Sequence, residues 1–76
     1  MKHLRSARHR ALIAAIVTAR QEAGLTQREL AAKLKRSNSF VWKIEAGERR
    51  VDVLELVEIA HATGIDPVEL FTRFIR

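Results

Sequence analysis

The sequence predicts an all-α fold: a compact domain of five short helices, the second and third joined by a tight turn. Three observations carry it. Apolar residues recur at intervals of three and four. Three segments, Thr26–Glu29, Asp52–Glu55 and Asp66–Glu69, have the form of a helix-capping box. No alternating apolar run competes for a strand.

The first helix is expected from about Arg8 to Ala23, with Leu12, Ile13, Ile16 and Val17 on its apolar stripe and Gly24 as its terminator. Residues 1–10, with Arg5, Arg8 and Arg10, read either as a basic arm or as an extension of that helix, leaving 11–76 as the domain proper. Thr26-Gln27-Arg28-Glu29 opens a second helix, which carries Leu30, Ala31 and Leu34 on one face. Lys35-Arg36-Ser37 is too short for anything but a tight turn. A third helix follows from about Asn38 to Glu45, with Val41 and Ile44 inward and Gly47 at its end.

Asp52 and Glu55 start a fourth helix. Val53, Leu54, Leu56, Val57, Ile59 and Ala60 make it apolar on most sides, which predicts a central position. Gly64 ends it. Asp66-Pro67-Val68-Glu69 joins an N-cap to a proline in the first turn, so a fifth helix is expected from about Pro67 to Phe74.

Length and charge narrow the function. Seventy-six residues allow one core, and a chain this short buries only about 60% of its unfolded surface. A second, catalytic domain is not expected within these residues. With no cysteine, neither a disulfide framework nor a thiolate metal site holds the fold. The apolar stretch from Ala11 to Ala19 is broken by Thr18 and falls short of the roughly 20 residues that span a bilayer. It follows a basic start, as in a signal peptide, but Arg20-Gln21-Glu22 offers no small-residue cleavage site. The expectation is a soluble, intracellular protein.

The net charge of +5 is unevenly spread. Up to Arg50 there are 12 Lys and Arg against 4 Asp and Glu, whereas from Val51 onward there are 2 against 5. The basic part calls for a polyanion. Enzyme chemistry finds no support: His3, His9 and His61 are scattered, and there is no triad order, glycine-rich phosphate loop or metal-ligand spacing. His61 reads as an interior or interface histidine, and no cofactor is assigned.

Two short helices joined by about three residues form a helix-turn-helix, whose second helix fits the major groove of B-DNA. Base edges are read near the N-terminus of that helix, where this chain supplies Ser37, Asn38 and Ser39, with Lys43 one turn on. Asn pairs bidentately with adenine, Ser bonds to several bases, and Lys reaches guanine acceptors or a phosphate. Trp42 has two readings: contact with sugar or a thymine methyl, or packing back against the second helix. Cap or surface roles for these polar residues are the local alternative.

Gly24-Leu25-Thr26-Gln27, Leu30-Ala31 and the run from Val41 to Arg50 resemble the Cro and phage-repressor class of helix-turn-helix domains, over about residues 12 to 71. The resemblance implies a lambda-repressor-like fold and a double-stranded DNA partner. It puts Asn38, Ser39 and Lys43 on base-reading positions, with Ser37 and Trp42 beside them. Gln27, flanked by Thr26 and Arg28, falls where the family anchors a phosphate, Phe40 lies near the backbone, and Arg49 and Arg50 fall where it grips the backbone. Arg20 and Glu45 match a structural ion pair. Lys35 stands where the family usually has glycine, Asn38 replaces a common glutamine, and Trp42 replaces a small or polar residue.

Such a reader is expected as a cytoplasmic homodimer of bacterial or phage type, at the nucleoid, with Val68, Leu70, Phe71, Phe74 and Ile75 at the subunit interface. Transcription regulation follows, by repression at a short palindromic operator or by activation through contact with RNA polymerase. Two other readings stay open: an antitoxin-like protein-interaction regulator and a nonspecific nucleoid-associated protein.

Overall fold

The computed structural model describes residues 6–76, which form α1 (Ala7–Glu22), α2 (Gln27–Lys33), α3 (Asn38–Glu45), α4 (Val53–Thr63) and α5 (Pro67–Ile75), with no strand among them. Ser6 caps α1 by accepting the His9 N–H at 3.0 Å. Ala7 to Arg10 are therefore helix rather than arm; an arm over residues 1–5, with His3 and Arg5, lies outside the described residues. Two of the three capping boxes close in full. Thr26 and Glu29 exchange bonds of 3.0 and 2.8 Å, and Asp52 and Glu55 exchange bonds of 2.8 and 3.0 Å. Asp66 accepts from Val68 and Glu69 at the head of α5, whose Pro67 needs no partner there.

Helices α1, α2 and α3 end in one motif. The residue after the cap turns to positive φ, and the last carbonyls accept from it and from its successor. At Gly24 and Gly47 glycine makes that turn. Lys35 makes it after α2, at φ 57°, with its N–H on the Ala32 carbonyl and the Arg36 N–H on that of Ala31.

The core takes Ala15, Ile16 and Ala19 from α1, Leu30 and Ala31 from α2, and Phe40, Val41 and Ile44 from α3. Ile59, Ala60 and Leu70 complete it from α4 and α5. Helix α1 packs chiefly against α5, and α2 against α3. Arg8 donates to the Phe74 and Ile75 carbonyls at 3.3 and 2.7 Å, setting a cation on the C-terminal end of α5.

Three expectations need correction. Helix α4 is not surrounded: Val53 and Leu54 are 76% and 73% exposed, because only the Glu55, Ile59 and Ala60 side meets the core. His61 is exposed, one residue beyond Ala60 and turned away from that side. Leu70 is fully buried and closes the monomer core, so it is unavailable to a subunit interface.

Candidate nucleic-acid interface

Helix α3 divides into two faces. Phe40, Val41 and Ile44 are buried, while Ser37, Asn38, Ser39, Trp42 and Lys43 are exposed. Positions 38, 39, 42 and 43 fall on one side because residues four apart align along a helix. Trp42 is 48% exposed, so its indole stands at the surface beside the polar residues. Ser37 is the N-cap, which places Asn38 and Ser39 inside the first turn rather than at the cap. Alone among the five N-caps, Ser37 makes no side-chain bond to a backbone N–H; its hydroxyl lies 3.3 Å from that of Ser39.

A polar cluster fixes α3 to the rest of the domain. Arg20 grips Glu45 bidentately, Nε donating to Oε2 at 2.7 Å and Nη2 to Oε1 at 2.9 Å, while Nη1 donates to the Leu25 carbonyl at 2.9 Å. The two side chains are 13% and 7% exposed, and the short bonds to Glu45 hold the Arg20 guanidinium above its ordinary pKa. Gln27 Nε2 donates to Glu45 Oε1 at 2.8 Å. The side chain expected to anchor a phosphate thus faces an internal carboxylate, although Gln27 still opens α2. Thr26 keeps its hydroxyl on Glu29, and Arg28 is exposed beside it.

Phe40 is the clearest correction within the site. Its side chain is buried rather than presented to a ligand, and both the Arg36 and Arg49 guanidiniums lie over its ring, 4.5 and 4.6 Å from the centroid. Arg49 is also tied internally, with Nη1 and Nη2 donating to the two Glu55 oxygens at 2.9 and 2.8 Å. Of the pair expected to grip the backbone, Arg50 is the exposed one. Glu55 is buried, and the Arg49 bonds, aided by the Asp52 N–H and Arg36, hold its carboxyl down at a pKa of about 2. Spacing in the sequence marks Glu55 only as a cap partner. The arginines that complete its surroundings lie 6 and 19 residues away, too far for a local pattern.

A family model described as helix-turn-helix matches residues 16–70, a span that includes α2, the turn and α3. The chain belongs to the helix-turn-helix family of Cro and repressor type. Within this family it is 42% identical, over 53 residues, to the uncharacterized HTH-type transcriptional regulator y4dJ of Sinorhizobium fredii, covering 70% of this chain and 69% of that one. The helix-turn-helix fold also matches the XRE-family like protein from Pseudomonas syringae pv. tomato with a TM-score of 0.86 and 44% identity, over 96% of this chain and 89% of the other. The crystal structure of the clp gene regulator ClgR from C. glutamicum matches with a TM-score of 0.72 and 29% identity, over 91% and 92% of the two chains. No helix among the described residues of this helix-turn-helix protein is long and apolar enough to cross a membrane.

Away from α3, the five residues expected at a subunit interface separate. Leu70 is core and Phe74 is half-buried against it, whereas Val68, Phe71 and Ile75 are exposed. Phe71 meets Phe74 edge to face, with ring centroids 5.2 Å apart. Val68 and Phe71 border a groove whose other walls are Val53, Leu56, Val57 and Pro67. The α4 half of that apolar surface is not separable in the sequence, where Val53 is one of several apolar residues spread over most sides of the helix.

Proposed function

We propose that this chain is a sequence-specific, double-stranded DNA-binding transcriptional regulator that lays α3 in the major groove. The observation that carries the reading is the clean division of α3, which buries Phe40, Val41 and Ile44 and leaves Asn38, Ser39, Trp42 and Lys43 outward in a protein of this family. Asn38 and Ser39, in the first turn, read base edges with Ser37; Lys43 and Trp42 extend the contact one turn on. Arg50 and Arg28 bind phosphates, and the N-terminal end of α2 at Thr26 and Gln27 faces the backbone.

The regulator acts as a homodimer on a short palindromic operator. Two copies set their recognition helices about 34 Å apart, one turn of DNA. The exposed apolar set on α4 and α5, Val53, Leu54, Val68 and Phe71, supports pairing, since water-exposed apolar surface of this kind favours burial against a second copy. Repression by steric exclusion of polymerase is the simplest outcome of such occupancy.

Selection from a random duplex library at about 150 mM salt, with the wild-type protein and Asn38→Ala in parallel, tests the reading. The expected result is an inverted motif that Asn38→Ala relaxes at one base position in each half-site. A wild-type protein that enriches nothing overturns it.

A further inference from the structure

The N-terminal end of α3 has to be held still if its side chains are to discriminate bases, because a base contact is lost when the reading atoms stray by a fraction of an ångström. Yet α3 has the one N-cap without a side-chain bond to the backbone. The Ser37 hydroxyl meets only that of Ser39, 3.3 Å away, and leaves the first backbone N–H groups of α3 uncapped, so the anchor must come from elsewhere.

It comes from four segments that meet at Glu55. Arg36 belongs to the turn before α3 and Phe40 to its first turn. Arg49 belongs to the loop after it, and Glu55 to the first turn of α4. Both guanidiniums lie over the Phe40 ring. Arg49 binds Glu55 bidentately, Arg36 approaches the same carboxylate at 3.5 Å, and its other nitrogen lies 3.6 Å from Glu58. The Asp52 N–H fills a further acceptor position on Glu55 at 3.0 Å. Two cations and two carboxylates face one another, so little charge is left for phosphates. Ser37 follows Arg36 directly, and Arg50 follows Arg49 and has its carbonyl held by Arg49 Nη1 at 2.7 Å.

We propose that Glu55 is a specificity-setting positioning residue: through Arg36, Phe40 and Arg49 it locks the reading end of α3 and the Arg50 loop into one rigid unit. The proposal rests on the DNA-reading function above. Arg36 and Arg49 act as struts, and neither neutralises a phosphate.

The test is binding of wild type, Glu55→Gln and Phe40→Leu to the selected operator and to a scrambled duplex, by fluorescence anisotropy between 50 and 200 mM salt. Thermal melts of each variant identify a temperature at which all are folded. Glu55→Gln keeps an oxygen for the Asp52 N–H and loses the charge; Phe40→Leu keeps apolar bulk and loses the ring. Each variant is expected to lose about tenfold in operator affinity, the size of one lost base contact. Scrambled-duplex affinity stays within about twofold, and the slope of log K against log salt is unchanged because no phosphate contact is removed. Tighter binding by Glu55→Gln with a slope steeper by about one unit or more overturns the proposal, since it means that freed arginines bind phosphates. Unchanged operator affinity in both variants also overturns it, as does an equal loss on both duplexes. A wild-type protein that does not distinguish the duplexes refutes the underlying DNA-reading function instead, and the proposal with it.

Discussion

Lys35 shows how a single residue departs from the rule that its neighbours follow. At Gly24 and Gly47 the chain leaves a helix through a left-handed turn that glycine adopts freely, and Lys35 enters the same region at φ 57°. An L-residue there costs about 1–2 kcal/mol, because its Cβ crowds the following carbonyl. Replacement by glycine removes that cost and returns part of it as unfolded-chain entropy. Lys35→Gly is therefore expected to stabilise the domain by about 0.5–1 kcal/mol, seen as a rise in the urea midpoint at constant m-value. An unchanged or lower midpoint refutes the strain argument. The residue preference at this position was legible from the family resemblance; the dihedral angle itself came from the Schellman-type hydrogen bonds that close α2.

At the scale of elements, the helices were readable wherever their signals are local. Thr26 with Glu29, Asp52 with Glu55, and Asp66 with Pro67 lie within one turn of each other, so spacing alone marks where α2, α4 and α5 begin. Ties between elements were legible only in part: the family resemblance points to the pair of Arg20 on α1 with Glu45 at the end of α3, but not to Gln27 at the head of α2, which joins them. Arg20→Ala leaves Glu45 buried with only the Gln27 amide, a loss of about 3 kcal/mol for a charge stripped of its partner. Circular dichroism melts should show Tm lowered by more than about 12 °C for a chain of this size. A drop of less than about 4 °C would show instead that solvent or Gln27 compensates the carboxylate.

For the whole molecule, the question is where surface is left uncovered. Val53, Leu54, Val68, Phe71 and Ile75 remain exposed after the monomer core has closed over Leu70. If this face pairs two copies, light scattering at micromolar concentration gives twice the 8.7 kDa chain mass, and Phe71→Asp returns it to the single-chain value. A complex whose mass exceeds that of the operator duplex by a single 8.7 kDa chain would remove the homodimer from the proposal. The charge asymmetry acts at this scale as well. The acidic excess after Val51 is partly consumed inside the domain, since Glu55 and Glu58 pair with Arg36 and Arg49 from the basic part. Counting charges along the chain therefore overstated the cation available to a polyanion on that side.

The sequence by itself determined the five helices, the N-caps at Thr26, Asp52 and Asp66, and the inward side of α3 at Val41 and Ile44, because helical period and capping act within a few residues. It also determined the family, through the order of Gly24-Leu25-Thr26-Gln27 and the run from Val41 to Arg50. Only the tertiary structure decided which apolar residues of α4 and α5 close the core and which stay in water: Leu70 from Phe71, and Ile59 from Leu54. It alone turned Phe40 inward beside the Glu55 cluster, and tied Arg49 to Glu55. Burial and charge pairing depend on partners brought together from distant parts of the chain, and no spacing within one helix encodes which of them will meet.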